Sequence, residues 1–174
     1  MTKVSRSVDL FGRNIVLVFL GTSLVNFLNL LYQLLIAHQL TPQDFAAFNS
    51  LLSLFLILSS PLMTLQTAVG KYGAQFRVSQ EDNKVVALLL GLLKRALGFA
   101  LATFLVFYAL SSPILEKLKI DSPGCGLMLS VLLASAWFTP ILLGGIQGME
   151  LFGWYTLVLV FAAGLKLVLS FLFI

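Results

Sequence analysis

The stretch NIVLVFLGTSLVNFLNLLYQLLIAHQLTPQ, residues 14–43, decides the fold because it runs for thirty residues without a formal charge. A helix of about 20 apolar residues, rising 1.5 Å per residue, crosses the roughly 30 Å hydrocarbon core of a bilayer. Four further stretches have the same character, and only Lys166 interrupts one of them. They are 45–70, 96–115, 122–149 and 151–174.

Backbone polar groups inside lipid must be hydrogen bonded internally, and segments of this length achieve that as helices. The sequence therefore predicts an all-α fold, a polytopic transmembrane helical bundle of about five spans. We expect a single transmembrane domain over 1–174. Its spans are predicted at about 15–37, 45–69, 96–115, 123–143 and 152–174.

Composition narrows the classes of function. The chain is 59% hydrophobic and 10% charged, against about 25% charged residues in soluble domains. Its formal net charge is +4. Nucleic-acid binding requires basic residues clustered on one face, whereas the basic residues of this chain lie at span ends. Membrane lipids are therefore the expected partners, and nucleic acid is not. Cys125 is the one cysteine, and no metal or cofactor motif is present, so no cofactor is predicted.

The loop charges predict an orientation. Eight of the eleven Lys and Arg residues fall before the first span or between the second and third. By the positive-inside rule these segments and the N-terminus are cytoplasmic, in a plasma (inner) membrane. The connection 71–95 is predicted to be cytoplasmic and amphipathic. Its apolar residues over 85–93 recur at helical spacing, which fits either a surface helix or an early start of the third span.

Prolines predict breaks within two spans. Pro61 and Pro140 lack the N–H that a helix interior uses, and their rings clash with the preceding turn, so each predicts a kink. Thr41 and Pro42 form a predicted helix start, with Thr41 as N-cap and Pro42 in the first turn.

Polar residues inside the spans are the candidate functional groups. Asn26, Asn29 and Gln33 follow one another at steps of three and four, so they share one face of the first span. Asn49 begins a similar stripe of small polar residues in the second span. Two interpretations are open, either hydrogen bonding between packed helices or the wall of a water-filled cavity.

Among these residues, Lys166 is the most specific indication of a functional site. It lies fifteen residues beyond Leu151, about 22 Å along a straight helix. A lysine at that depth costs about 3 kcal/mol on insertion. Either its long side chain reaches the outer interface, or it provides a fixed positive charge in a cavity for an anionic group such as phosphate. No catalytic constellation accompanies it, so we expect no enzyme activity and no catalytic residues.

The segment GTSLVNFLNLLYQLLIAHQLTPQDFAAFNSLLSLFLILSSPLMTLQTAVGKYGAQF, residues 21–76, resembles the start of the polysaccharide (oligosaccharide-lipid) flippases of the multidrug and oligosaccharide-lipid exporter superfamily. These commonly have a short L-T/G-P-x-x-F/Y-G turn after the first helix. Leu40, Thr41, Pro42 and Phe45 supply it here, with Ala46 in place of the usual glycine.

A second segment, GGIQGMELFGWY at 144–155, is similar to the L-Q-G-x-x-R/K-F connection of the same family. Gln147, Gly148 and Phe152 match it, whereas Leu151 replaces the usual basic residue.

The resemblance implies a function. Family members have about twelve to fourteen helices in two lobes and flip lipid-linked oligosaccharides by alternating access. This chain would correspond to an incomplete first lobe, working with further helices of a longer chain or with a second chain. The implied substrate is a lipid-linked oligosaccharide, with Lys166 attracting its pyrophosphate headgroup. The implied binding residues are Lys166, Asn26, Asn29, Gln33 and Asn49.

Two other functions compete with flipping. An ion-coupled multidrug exporter of the same superfamily would be expected to use a carboxylate inside a span, and the predicted spans contain none. A small membrane scaffold protein would use the polar stripes only to pack against partner helices. The accessibility of Asn29 to water separates a cavity from such an interface.

Overall fold

The fold is all-α. The computed structural model describes residues 2–118, 120 and 123–173, and over these it contains eight helices and no strand. This confirms the predicted helical bundle. The helices are α1 (Thr2–Gln39), α2 (Pro42–Ser59), α3 (Leu62–Val78), α4 (Asp82–Ala109), α5 (Ser111–Lys117), α6 (Pro123–Ser135), α7 (Phe138–Gly148) and α8 (Phe152–Phe173).

Four helical segments are long and apolar enough to cross a bilayer, and a bent pair makes a fifth if it counts as one span. The four are Gly12–Gln39, Asn83–Ala109, Gly124–Gly148 and Phe152–Leu172. Most of their large apolar side chains are exposed on the surface of the protein, as is expected of residues that face lipid. The chain is thus a multi-pass helical membrane protein.

The bent pair is α2 and α3, which meet at 43° around Ser60 and Pro61. Pro61 has no N–H to donate to the carbonyl of Ile57, four residues earlier. Ser60 Oγ donates to that same carbonyl at 3.0 Å. The predicted kink at Pro61 is confirmed, and a side chain satisfies the carbonyl that the proline leaves open.

A second break separates α6 from α7 at Ala136 and Trp137, just before Pro140. The Trp137 side chain lies against α4, where it stacks on Phe99 with ring centroids 5.0 Å apart. Its Nε1 donates to Thr103 Oγ1 at 3.0 Å. The interruption predicted from Pro140 is therefore confirmed, and Trp137 anchors it to a neighbouring helix.

The third span has different limits from those predicted. Residues 71–78 complete α3, and α4 then runs without interruption from Asp82 to Ala109. The interpretation of 85–93 as a separate surface helix is therefore wrong, and the early start of the third span matches the structure. Residues 111–115, placed at the end of that span from the sequence, lie in the separate short helix α5.

The chain divides into two compact units, one formed by α1 and α8 and the other by Gln43–Glu150. The single domain predicted from the sequence thus appears as two packing units. In the first, a Cβ added at Gly21 would overlap Thr156 Cγ2, so the glycine allows α1 and α8 to approach closely. Ile36 and Ala163 are buried in this unit.

In the second unit, α3 and α7 pack closely against each other. A Cβ at Gly144 would lie 2.6 Å from Gln66 O, and one at Gly148 would lie 2.8 Å from Gly70 O. Only glycine fits at such distances, as in the small-xxx-small pairs of membrane helices. The amides of Gln66 and Gln147 add a hydrogen bond of 3.2 Å across the same pair.

Candidate functional site

The candidate site lies between α1 and α8 and is built around Lys166. This residue is fourteen positions after Phe152, where α8 begins, or about 21 Å along the helix axis. Lys166 Nζ donates to Asn29 Oδ1 at 2.9 Å. The same nitrogen lies 3.9 Å from the centroid of the Tyr32 ring. The ammonium group is therefore held by an amide oxygen and an aromatic face of α1.

Local helix geometry brings these partners together. Asn29 and Tyr32 are three residues apart on α1, so they lie on neighbouring turns of one face. On α8, Ser170 is one turn beyond Lys166 and donates through Oγ to the Lys166 carbonyl at 2.9 Å. The Ser170 side chain is also a hydrogen-bonding partner of Tyr32. Tyr32 is thus placed by the same two turns of α8 that carry the lysine.

The energetics explain how a lysine is tolerated here. Its insertion costs about 3 kcal/mol. A hydrogen bond between membrane helices contributes about 1 kcal/mol, and a cation–π contact contributes about 0.5–2 kcal/mol. The two contacts together offset much of the insertion cost. The ammonium carries three N–H donors, Asn29 accepts from one, and the side chain remains exposed. Such a group can meet an anionic ligand.

The other predicted site residues fall in two places. Asn26 and Gln33 lie one turn on either side of Asn29 and are exposed, so the face predicted on α1 exists and carries all three amides. Asn49 belongs to the second unit, where its Nδ2 donates to Phe45 O of the same helix at 2.8 Å. The structure therefore brings Asn29 to Lys166, and it shows Asn49 bonded within α2.

Two residues of the site were missed from the sequence. Tyr32 and Ser170 contact the lysine or its helix turn, but neither was included in the polar stripe. Their signal was the spacing, since Tyr32 follows Asn29 by three residues and Ser170 follows Lys166 by four. Within the described residues, no group of three or more His, Cys, Asp or Glu side chains could hold a metal ion.

These features define a polytopic helical membrane protein with a cation held between two of its apolar helices. Comparison of the chain with protein-family models, curated proteins and solved structures finds no match.

Proposed function

We propose that the protein is a membrane transporter that takes part in flipping lipid-linked oligosaccharides across the plasma membrane. Lys166 carries the proposal, because its ammonium is held by Asn29 and Tyr32 between two apolar helices and remains exposed. In this role it meets the pyrophosphate that joins the sugar to its lipid. Asn26 and Gln33 extend the same face of α1 and supply hydrogen bonds to the passing headgroup.

The charge pattern of the spans supports an anionic cargo. The four long candidate spans contain no Asp or Glu, while α8 contains Lys166. An anion crossing the membrane meets no fixed carboxylate along these helices, and a proton- or sodium-coupled exporter would be expected to carry one. The resemblance of residues 21–76 to polysaccharide flippases points to the same cargo.

The proposal includes a partner and an orientation. Alternating access requires two bodies that move around a shared site, and this chain supplies about five spans. We propose that further helices, in the same polypeptide or in a second chain, provide the other body. The N-terminus is cytoplasmic in this proposal, because eight of eleven basic residues lie on its side of the predicted spans.

A scaffold function has one observation in its favour. The hydrogen bond between Lys166 and Asn29 joins α1 to α8, which is what a purely structural polar contact would do. The two functions differ in whether water reaches the α1 face. In a Cys125→Ser background, Asn29→Cys and Asn26→Cys should react with a membrane-impermeant thiol reagent if the face lines a cavity. Protection of both positions in the assembled protein would favour the scaffold.

The cargo is tested by binding and by movement. The protein is reconstituted into vesicles with a fluorescent polyprenyl-pyrophosphate oligosaccharide, and the probe exposed on the outer leaflet is quenched over time. We expect Lys166→Gln to reduce both probe binding and movement about tenfold, since a charged contact to phosphate is lost. Lys94→Gln, which removes a cation from α4, should leave both unchanged.

The outcome that contradicts the proposal is equally specific. Unchanged probe binding and movement in Lys166→Gln would show that Lys166 does not bind the cargo. Equal binding of a polyprenol that lacks the pyrophosphate would show that the headgroup charge is not recognised.

A further inference from the structure

A cleft of about 600 Å³ opens in the second unit where α3 ends, α4 begins and α7 ends. Its lining combines a guanidinium and an amide with apolar side chains. Arg77, Gln80, Val85, Val86 and Met149 form it. We propose that this cleft binds the headgroup phosphate of an anionic phospholipid, with the upper part of an acyl chain against the two valines. This site is separate from the one built around Lys166.

Arg77 provides the anion-binding group. One of its nitrogens, Nη1, donates to the carbonyl of Met149 at the end of α7. That bond orients the guanidinium within the cleft and occupies a helix-end carbonyl that would otherwise repel an anion. A guanidinium has five N–H donors in a planar fork that matches phosphate. The remaining donors are therefore available to a phosphate oxygen.

Among the side chains that the structure describes near the cleft, no carboxylate forms an ion pair with Arg77. Glu81 follows Gln80, but its carboxylate is paired with Lys84 Nζ at 2.6 Å. The α3 carbonyls near the cleft are bonded within their own turn, since Gln80 N donates to Arg77 O and Glu81 N to Phe76 O. Glu150 is exposed next to Met149 and is not among the lining residues. Among the described side chains that line the cleft, Arg77 is thus the charged one.

The apolar side and the location select a lipid over a free anion. Val85 is 5% exposed and Val86 is 55% exposed, so one forms the base and the other the open wall. The ends of three candidate spans meet here, which places the cleft at the level of the lipid headgroups. Arg77, near the end of α3, and Lys84, near the start of α4, flank it, and basic residues beside spans attract anionic lipids.

The test compares lipids that have the same acyl chains. The intact protein in detergent is titrated with dioleoylphosphatidylglycerol or dioleoylphosphatidylcholine, and retention is measured by native mass spectrometry. We expect a resolved site for phosphatidylglycerol, weakened about tenfold in Arg77→Gln because a charged hydrogen bond is lost. Arg95→Gln, which removes an exposed guanidinium outside the cleft, should bind as the unmodified protein does.

Arg77→Gln also removes the contact with Met149, so a second variant avoids that change. Val86→Glu places a carboxylate on the open wall and keeps Arg77, and it should weaken phosphatidylglycerol binding at least as much. Equal retention of the two lipids, or normal binding by Val86→Glu, would overturn the proposal. Displacement of the lipid by an equal concentration of inorganic phosphate would also overturn it, since the valines would then contribute nothing.

Discussion

At the residue scale, the site shows which contacts a pattern can predict. Lys166 and Asn29 were predicted because a charge and an amide are costly in hydrocarbon and must find protein or water. Tyr32 was missed because it was grouped with the lipid-facing aromatic residues, although its spacing of three residues from Asn29 places it near the polar face of α1. Which ring faces the lysine depends on how α1 is rotated about its axis relative to α8. That rotation cannot be derived from the pattern of a single sequence.

The bond between Lys166 and Asn29 should be measurable by a double-mutant cycle with Lys166→Leu and Asn29→Leu. We expect a coupling of about 1 kcal/mol, since hydrogen bonds between membrane helices are weaker than those inside soluble proteins. The free energy of unfolding in detergent is the measurement. The matched control is the same cycle with Asn26→Leu, one turn away on α1, where coupling near zero is expected. Equal coupling in both cycles would contradict the specific contact.

Two residues outside the spans adopt a left-handed backbone without being glycine. Gln80 has φ 58° and Glu150 has φ 56°, and each follows the end of a helix. Such a conformation costs about 1–2 kcal/mol for a residue with a Cβ. We expect Gln80→Gly to raise the free energy of unfolding by roughly 0.5–1 kcal/mol, because the gain exceeds the added freedom of the unfolded chain.

The measurement is thermal unfolding in lipid-free detergent. Ser79→Gly is the control, since Ser79 has φ −77° and Oγ bonded to Gln75 O. It should lower stability. A loss in both variants would show that the Gln80 side chain contributes more than its backbone costs.

At the element scale, the breaks within helices were predictable from the sequence, and the residues at which helices begin and end were not. Pro61 and Pro140 revealed both interruptions because a missing N–H acts locally. The start of α4 was misplaced because Lys94 and Arg95 end the charge-free run, and a helix accommodates such residues on an exposed face without stopping. A charge-free run therefore marks the part of the chain that lies in hydrocarbon, whereas caps and prolines mark where the helix begins, breaks and ends. The α3–α7 interface was not predicted, since nothing in the sequence shows which helix the glycines of 144–148 pack against.

That interface gives a sharp prediction. Gly144→Ala should destabilise the protein by about 1–3 kcal/mol, because its Cβ would lie 2.6 Å from Gln66 O and 2.9 Å from Val69 Cβ. Gly91→Ala is the matched control, since nothing lies within 4 Å of a Cβ there and alanine favours the helix. Thermal unfolding of both variants in detergent is the measurement. Equal stability of the two variants would contradict the close packing of α3 on α7.

At the scale of the whole molecule, helix directions constrain the number of crossings. Gly21 lies beside Thr156, and Asn29 beside Lys166, so α1 and α8 run parallel. Parallel spans require an odd number of crossings between them. With α4 and α6–α7 as two of these, the bent pair α2–α3 supplies the third. The packing therefore favours five spans.

Crossing by the bent pair predicts opposite sides for its two ends. In a Cys125→Ser background, Thr41→Cys and Gln80→Cys should react with an impermeant thiol reagent from opposite faces of a sealed vesicle. Glu150→Cys should react from the same face as Gln80→Cys, because the cleft joins Gln80 to Met149. Labelling of Thr41→Cys and Gln80→Cys from one face would instead mean that α2–α3 re-enters the side it came from.

The contact between Lys166 and Asn29 can form only after both residues have been synthesised. Its two residues are 137 positions apart, and a ribosome adding about 5–20 residues per second needs roughly 7–27 seconds to make that interval. For those seconds the newly made first helix carries its row of amides without the lysine that later joins it. The insertion machinery, or water beside it, must accommodate those amides until the eighth helix emerges.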